Sequence, residues 1–346
     1  MAIYKKVIVW GYPLHTHTHS YVHYGWQKAF AAMGYEVHWF HDGDHPSESA
    51  FDYDNCLFIT EGMADGRIPI RATSMYIVHA CIHPGRYVGR CARMVDLRYH
   101  VRYLRDQTYN YSLEDKISAG AVVPLREGSP MWYEPAATSA DLSPQHAVAG
   151  LAPYEAIYLF WATDLLPHEI RYEDRLLAPA DPPKTVFVGS IDGYGGNSGE
   201  VARFRAGCDR HGIRFEHVNP WGKAASFEEN RRLCQESIIA PDIRGNGNPR
   251  SQHKTIGYVP CRLFKNISYG RLGATNCRRL QELFGDMVVC EEDEGRLVDA
   301  CMARRGDTDY VLRQMQWVAE NHTYAQRVDD LLALLALRGD SLAARA

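Results

Sequence analysis

Short apolar runs alternate with amphipathic stretches along the chain, and the alternation occurs twice. In the first half, Lys6 to Trp10 (KVIVW) reads as a buried strand that meets Gly11 and Pro13. After a polar loop, Tyr24 to Met33 places Trp26, Phe30 and Met33 at helical spacing and stops at Gly34. Further strands are expected at Glu36 to Phe40, Cys56 to Thr60 and Met75 to His79, with weaker ones at Arg93 to Leu97 and Gly120 to Val123. Ile157 to Trp161 is another apolar run, and DLSPQHAVAGLAPYE reads as loop. Strands that alternate with helices imply a parallel, doubly wound sheet.

The same grammar restarts at Thr185. TVFVG is a strand ending in the glycine-rich SIDGYGGNSGE, followed by a helix over Glu200 to His211 and a strand over Ile213 to Val218. A helix from Phe227 to Gln235 and a strand from Ile238 to Ile243 come next. Later helices are expected around Arg296 to Met302, Tyr310 to Glu320 and Tyr324 to Leu337, with a strand near Met287 to Cys290. Pro179, Pro182 and Pro183 mark a junction. The expected fold class is therefore α/β, with two Rossmann-like domains facing each other across a cleft. Their bounds are 1–165, a linker over 166–184, 185–322, and a C-terminal helix in 323–346 that can pack back on the first domain.

Composition narrows the function. With 346 residues the chain can bury two cores. A net charge of −4 without a long basic run disfavours nucleic acid as the general partner, although a modified-base acceptor stays open. No apolar stretch suits a membrane span and MAIYKKVIVWGYP is a poor secretory signal, so a cytoplasmic protein is expected. Nine scattered cysteines without CxxC spacing predict reduced thiols, neither a disulfide framework nor a zinc cluster.

The segment Gly257 to Asn276, GYVPCRLFKNISYGRLGATN, carries the strongest chemical signal. Pro260 opens a short helix and Gly270 closes it. Leu263, Phe264 and Ile267 supply a buried stripe, leaving Arg262, Lys265 and Asn266 either as a solvated face or as an anion-binding edge. The preceding strand ends on Asp242 and Arg244, and a loop rich in glycine and asparagine carries His253 and Lys254 toward the same place. A helix N-terminus with fixed cations is a ready site for phosphate.

These residues, with LQELFGD and HTYAQRVDDLL further on, resemble the C-terminal half of GT-B glycosyltransferases. There a proline-led helix of the form P-x-R-x-F-E-x-x-x-x-G precedes a second helix, x-L-x-E-x-F, and a late H-T-Y-x-x-R helix. The likeness covers residues 185 to 335 and reaches the first half only as a fold-level analogy. It implies a nucleotide-diphosphate sugar bound by the second domain, a carbohydrate or other hydroxyl acceptor bound by the first, and sugar transfer that requires no cofactor or metal. Lys265 stands where many relatives carry glutamate, so a ribose-binding carboxylate cannot be carried over and a phosphate contact takes its place. The donor residues implied are Ser190, Arg244, Tyr258, Arg262, Lys265, Asn266 and Asn276.

In the first half, PLHTHTHSYVH follows the first strand. The residues His15, His17, His19 and Glu61 are the catalytic candidates, because a histidine titrates near neutrality and can take a proton from an attacking hydroxyl. His79 and Asp164 near strand ends, and Trp221 in NPWGK, are candidates for the acceptor or the cleft. The histidines also allow a surface role without chemistry, or metal ligation. LHTHTHS is similar to the D-x-H-x-H opening of the polymerase-and-histidinol-phosphatase hydrolases, which makes a metal-dependent hydrolase using His15, His17 and His19 the rival reading. A two-lobed binding module and a nucleotide-sugar epimerase share the expected architecture.

Overall fold

In the computed structural model, which describes residues 1–103, 109–173, 178–191, 196–219, 226–247 and 253–345, the chain forms two Rossmann-like α/β units. The first comprises Met1–Asp164 with Tyr324–Ala346, and the second Leu165–Thr323.

The first unit is built on an eight-stranded sheet. Its strands are β1 (Lys6–Trp10), β2 (Val37–Phe40), β3 (Cys56–Glu61), β4 (Met75–His79), β5 (Arg93–Arg98), β6 (Val123–Pro124), β7 (Trp132–Ala137) and β8 (Tyr154–Tyr158). They lie in the order β2-β1-β3-β4-β5-β8-β7-β6. Neighbours from β2 to β8 run parallel, with Val7 opposite Val37 and Leu57, Leu57 opposite Met75, and Met75 opposite Arg93. The β7 strand pairs antiparallel with both β8 and β6. Every residue of β3, β4 and β5 is buried, as expected of parallel strands covered on both faces. The winding reverses between β1 and β3, and ligands of such sheets bind beyond the strand ends at that point.

One helix, α1 (Ser20–Ala32), returns from β1 and buries Val22, His23, Trp26 and Phe30. It opens a full turn before the expected Tyr24, which takes His23 out of the loop and into the helix. A short helix, α2 (Leu113–Ser118), is capped by Ser112, whose hydroxyl accepts the Asp115 amide.

The second unit holds two parallel sheets. β9 (Lys184–Val188) pairs with β10 (Arg214–Val218), and β11 (Ala240–Asp242), β12 (Gly273–Thr275) and β13 (Val289–Cys290) form the other. The Ile238 amide reaches the Lys184 carbonyl at 2.7 Å, which ties the approach to β11 to the start of β9. The helices are α3 (Ser198–Arg210), α4 (Phe227–Glu236), α5 (His253–Ile256), α6 (Cys261–Ser268), α7 (Arg278–Phe284), α8 (Glu294–Ala303) and α9 (Thr308–Asn321). Phe187, Phe204, Cys208, Ile239, Leu297 and Val298 are among the residues of its core. The segment expected as a linker groups with this unit, where Leu165 and Ile170 pack on Cys234, Ala240 and Tyr269.

The last helix, α10 (Tyr324–Ala336), belongs to the first unit, where it packs on α1. It buries Leu331, Leu334 and Leu335. Arg327, 1% exposed, donates from Nε to the Phe160 carbonyl at 2.7 Å. Gly25 makes the helix crossing possible, because a Cβ there would lie 2.2 Å from Cδ2 of Tyr324. A glycine-to-alanine change inside an exposed helix normally stabilises. Here Gly25→Ala is expected instead to cost about 1–3 kcal/mol through overpacking, read as a lowered urea midpoint. A raised midpoint would refute the close approach.

Candidate functional site

The β1 strand ends at Trp10, and Gly11 then leaves room for the ring of His23, since a Cβ on Gly11 would sit 2.0 Å from its Cε1. Burial pushes the His23 imidazole down to about 3, so it stays neutral near physiological pH. The unfolded chain protonates this histidine near 6.5 while the folded chain does not. Its contribution to stability is therefore complete above pH 6.5 and declines by about 1.4 kcal/mol per pH unit as pH falls toward 3. Stability curves of wild type and His23→Gln are expected to converge as the medium is acidified through this window. Parallel curves would exclude the effect.

The histidine loop does not run extended. It folds into turns: the Thr16 amide and hydroxyl both reach the Pro13 carbonyl, and the Ser20 amide reaches the His17 carbonyl. His15 takes a left-handed backbone, φ 66°, with its Nδ1 3.2 Å from the Tyr21 hydroxyl. His17 stacks on Tyr12 at 4.1 Å between ring centres, and its Nδ1 accepts the His19 amide. Burial lowers His17 to about 4. The His17 ring stands edge-on to the His19 ring at 4.7 Å, and His19 in turn hydrogen-bonds Glu61.

His19, Glu61 and His79 converge at the ends of the strands beside the reversal in winding. Glu61 closes β3 and is fully buried; His79 closes β4 and is 3% exposed; the His19 side chain keeps 20% exposure. Both imidazoles turn Nδ1 to the same oxygen, Oε2 of Glu61, that of His19 at 2.9 Å. Burial opposes the charge on Glu61, but the two imidazoles outweigh it and hold the carboxyl well below its ordinary range. Burial likewise pushes His79 down, against the pull of Glu61. An ionised carboxylate only accepts, so each Nδ1–H donates, and a neutral ring so held keeps its lone pair on Nε2. Among the described residues, Glu61 Oε1 and His79 Nε2 have no hydrogen-bond partner although both are buried.

Aromatic rings surround the trio. His79 stands edge-on to Trp161 and Tyr99, each at 4.6 Å, and those two rings stack on each other. Asp164 is buried at the end of the unit, and its carbonyl accepts the Lys28 ammonium at 3.1 Å.

The second unit gathers cations at the ends of β11 and β9. Asp242 ends β11, and its carboxylate takes Arg244 through Nη2 at 2.6 Å, with Arg262 of α6 3.8 Å away. Arg244 lies 4.7 Å over the Tyr258 ring and Arg262 the same distance over Phe187. Burial and the neighbouring Arg244 pull the Arg262 guanidinium below its ordinary value, while Asp242 opposes them. Two guanidiniums share one carboxylate, so the cluster keeps a positive excess that an anion would balance.

Backbone geometry prepares this cluster. Gly189 follows β9 with φ 149°, and a Cβ there would fall 2.1 Å from Nη2 of Arg262. This glycine makes room for the guanidinium, and Ser190 beside it is exposed. Asn276 is fully buried; its Oδ1 accepts the Arg244 amide at 2.7 Å and its Nδ2 donates to the Arg244 carbonyl at 2.8 Å. It holds the main chain of Arg244 and has no amide group left for a nucleotide. Asn266 is similarly committed, its Nδ2 on the Ala240 carbonyl at 2.7 Å. Lys265 lies a turn beyond Arg262, 7% exposed, its ammonium 5.7 Å over the Phe227 ring. Trp221 lies outside the described residues.

Glu294 was not anticipated. It is 1% exposed at the start of α8 and accepts Lys254 at 2.9 Å, Arg203 at 2.8 Å and Asn276 at 2.8 Å. The acidic run EEDE before a helical pattern was its signal, which reads first as an ordinary capped helix start.

No protein-family model matches the chain, and no curated protein does. Among solved structures, the chain is similar to an α,α-trehalose 6-phosphate synthase from Burkholderia multivorans, at 10% identity over 97% of this chain and 98% of that one, TM-score 0.49. It is also similar to the glycosyltransferase SnogD from Streptomyces nogalater, at 12% identity over 96% and 99%, TM-score 0.38. An α1,3-fucosyltransferase solved with GDP-fucose matches at 8% identity over 100% and 94%, TM-score 0.37. Likenesses this distant carry no argument about chemistry, and the architecture of each unit rests on its own strand order.

Proposed function

We propose that the protein is a glycosyltransferase that moves a sugar from a nucleotide-diphosphate donor to a hydroxyl acceptor without needing a metal ion. The observation that carries this reading is His19, whose Nδ1 lies 2.9 Å from a buried, ionised Glu61, an arrangement that in a neutral ring leaves the Nε2 lone pair to take a proton. A base so oriented suits removal of a hydroxyl proton. In the step, the acceptor proton passes to His19 Nε2, the acceptor oxygen bonds to the sugar's anomeric carbon, and the bond from that carbon to phosphate breaks. The leaving diphosphate keeps the electron pair, and the Arg262–Arg244 pair of the second unit carries the charge that suits such a group. Asn276 and Gly189 act as positioning residues for those two arginines.

The hydrolase reading needs His15, His17 and His19 on one ion. Among the described residues these three do not form such a group.

Thermal shift with UDP, GDP, ADP, CMP and dTDP tests the donor half. One of them is expected to stabilise the protein, by about 2.7 kcal/mol at a hundred times its Kd. Arg262→Ala is expected to weaken that ligand about ten- to hundred-fold, the range for hydrogen bonds to a charged group. If none stabilises the wild type, or if Arg262→Ala binds undiminished, the donor assignment fails.

A further inference from the structure

We infer that His19, Glu61 and His79 also form a binding site for a divalent first-row transition ion such as Zn²⁺ or Co²⁺, and that filling it switches off the base. This rests on the preceding reading of His19 as that base.

The three residues offer a histidine nitrogen each and one carboxylate oxygen, and the donor atoms lie within 4.8 Å of one another. Ligands held at about 2.1 Å around a tetrahedral ion stand about 3.4 Å apart. The His19–Glu61 pair, at 2.9 Å, reaches that spacing after a shift of about half an ångström. Two imidazoles and a carboxylate suit zinc, cobalt, manganese or iron better than magnesium or calcium, which prefer oxygen throughout. A second observation points the same way. Glu61 Oε1 and His79 Nε2 are buried polar atoms without hydrogen-bond partners among the described residues. Such atoms are costly to leave unmet, and an ion gripped by both oxygens of the carboxylate would meet Oε1, while His79 Nε2 stays on the far side of a ring that ligates through Nδ1. His19, with a fifth of its side chain exposed, leaves an entry from solvent.

The consequence for the base follows from the count of protons on one ring. Neutral His19 carries its proton on Nδ1 while Glu61 accepts it. An ion that takes the Nδ1 lone pair moves this proton to Nε2 through solvent. The ring stays neutral overall, but its outward nitrogen becomes a donor and cannot accept from an acceptor hydroxyl.

Metal-free protein titrated with CoCl₂ should bind one ion per chain with visible bands of a low-coordinate Co²⁺, and equimolar ZnCl₂ should abolish those bands. Glu61→Gln and His79→Gln should each lose the spectrum while retaining the wild-type circular dichroism, and His15→Ala should keep it. In a transfer assay, Zn²⁺ should inhibit the wild type and EDTA should restore it. Absence of stoichiometric Co²⁺ binding, or a spectrum that survives both substitutions, overturns the site and leaves the base reading standing. Activation of transfer by Zn²⁺ overturns the switch. Loss of transfer on chelation alone would retain the ion site and defeat His19 as a metal-independent base.

Discussion

His19→Ala is expected to lower kcat for sugar transfer by about 10²–10⁴-fold, the span that a positioned general base contributes, with donor affinity unchanged. The affinity holds because the donor reading puts the diphosphate on the arginine pair of the second unit. Glu61→Gln should reduce kcat as well, by a smaller factor, since an amide keeps the shape but loses the ionised acceptor for both Nδ1–H groups. Steady-state kinetics with the stabilising nucleotide's sugar as donor separates the two parameters. A His19→Ala enzyme retaining more than about a tenth of wild-type kcat would eliminate the base. His15→Ala provides the contrast, because the His15 ring turns its Nδ1 to the Tyr21 hydroxyl.

The largest stability effect should come from Arg98→Met in the first unit, a loss of about 3–5 kcal/mol. Arg98 has no exposed surface. It donates to Asp96 at 2.9 Å, to Glu134 and Asp141 each at 3.1 Å, and to the Tyr158 hydroxyl at 2.7 Å. Lys116 bridges Glu134 and Asp141 from the edge. Three carboxylates therefore share two cations, and burial already pushes Asp96 up. Removing the central guanidinium leaves those carboxylates with one ammonium to serve them. Urea unfolding followed by the fluorescence of the unit's tryptophans measures the loss. A shift within a few tenths of a kcal/mol would show that the cluster is neutralised or wetted and is not held by Arg98.

This cluster also explains what the sequence concealed. The strand Trp132–Ala137 went unread because WYEPAA places a glutamate and a proline where an interior strand should be apolar. Glu134 is 3% exposed, and it tolerates burial only because Arg98, Lys116 and Tyr158 hydrogen-bond it from β5, α2 and β8. No local pattern reveals partners 18 to 36 residues away. The apolar runs of β1, β3, β4 and β9 were plain for the opposite reason, since parallel strands buried on both faces announce themselves one by one.

At the candidate site the same contrast holds. Glu61 and His79 were found through their places at strand ends, which is topological information already present in the strand pattern. The histidine loop offered His15, His17 and His19 together, and the turns it folds into set them apart, with His19 the one hydrogen-bonded to Glu61. Asn266 and Asn276 sit in the right segment but spend their amides on backbone, a distinction that composition cannot make.

Unit 1 is assembled from two separated stretches of chain, and the second supplies α10 with its buried leucines. During vectorial synthesis, all of residues 165–323 must leave the ribosome before that cover is made. The nascent first unit therefore waits with one face of α1 bare while the unit encoded after it can already close, reversing the usual order in which domains mature.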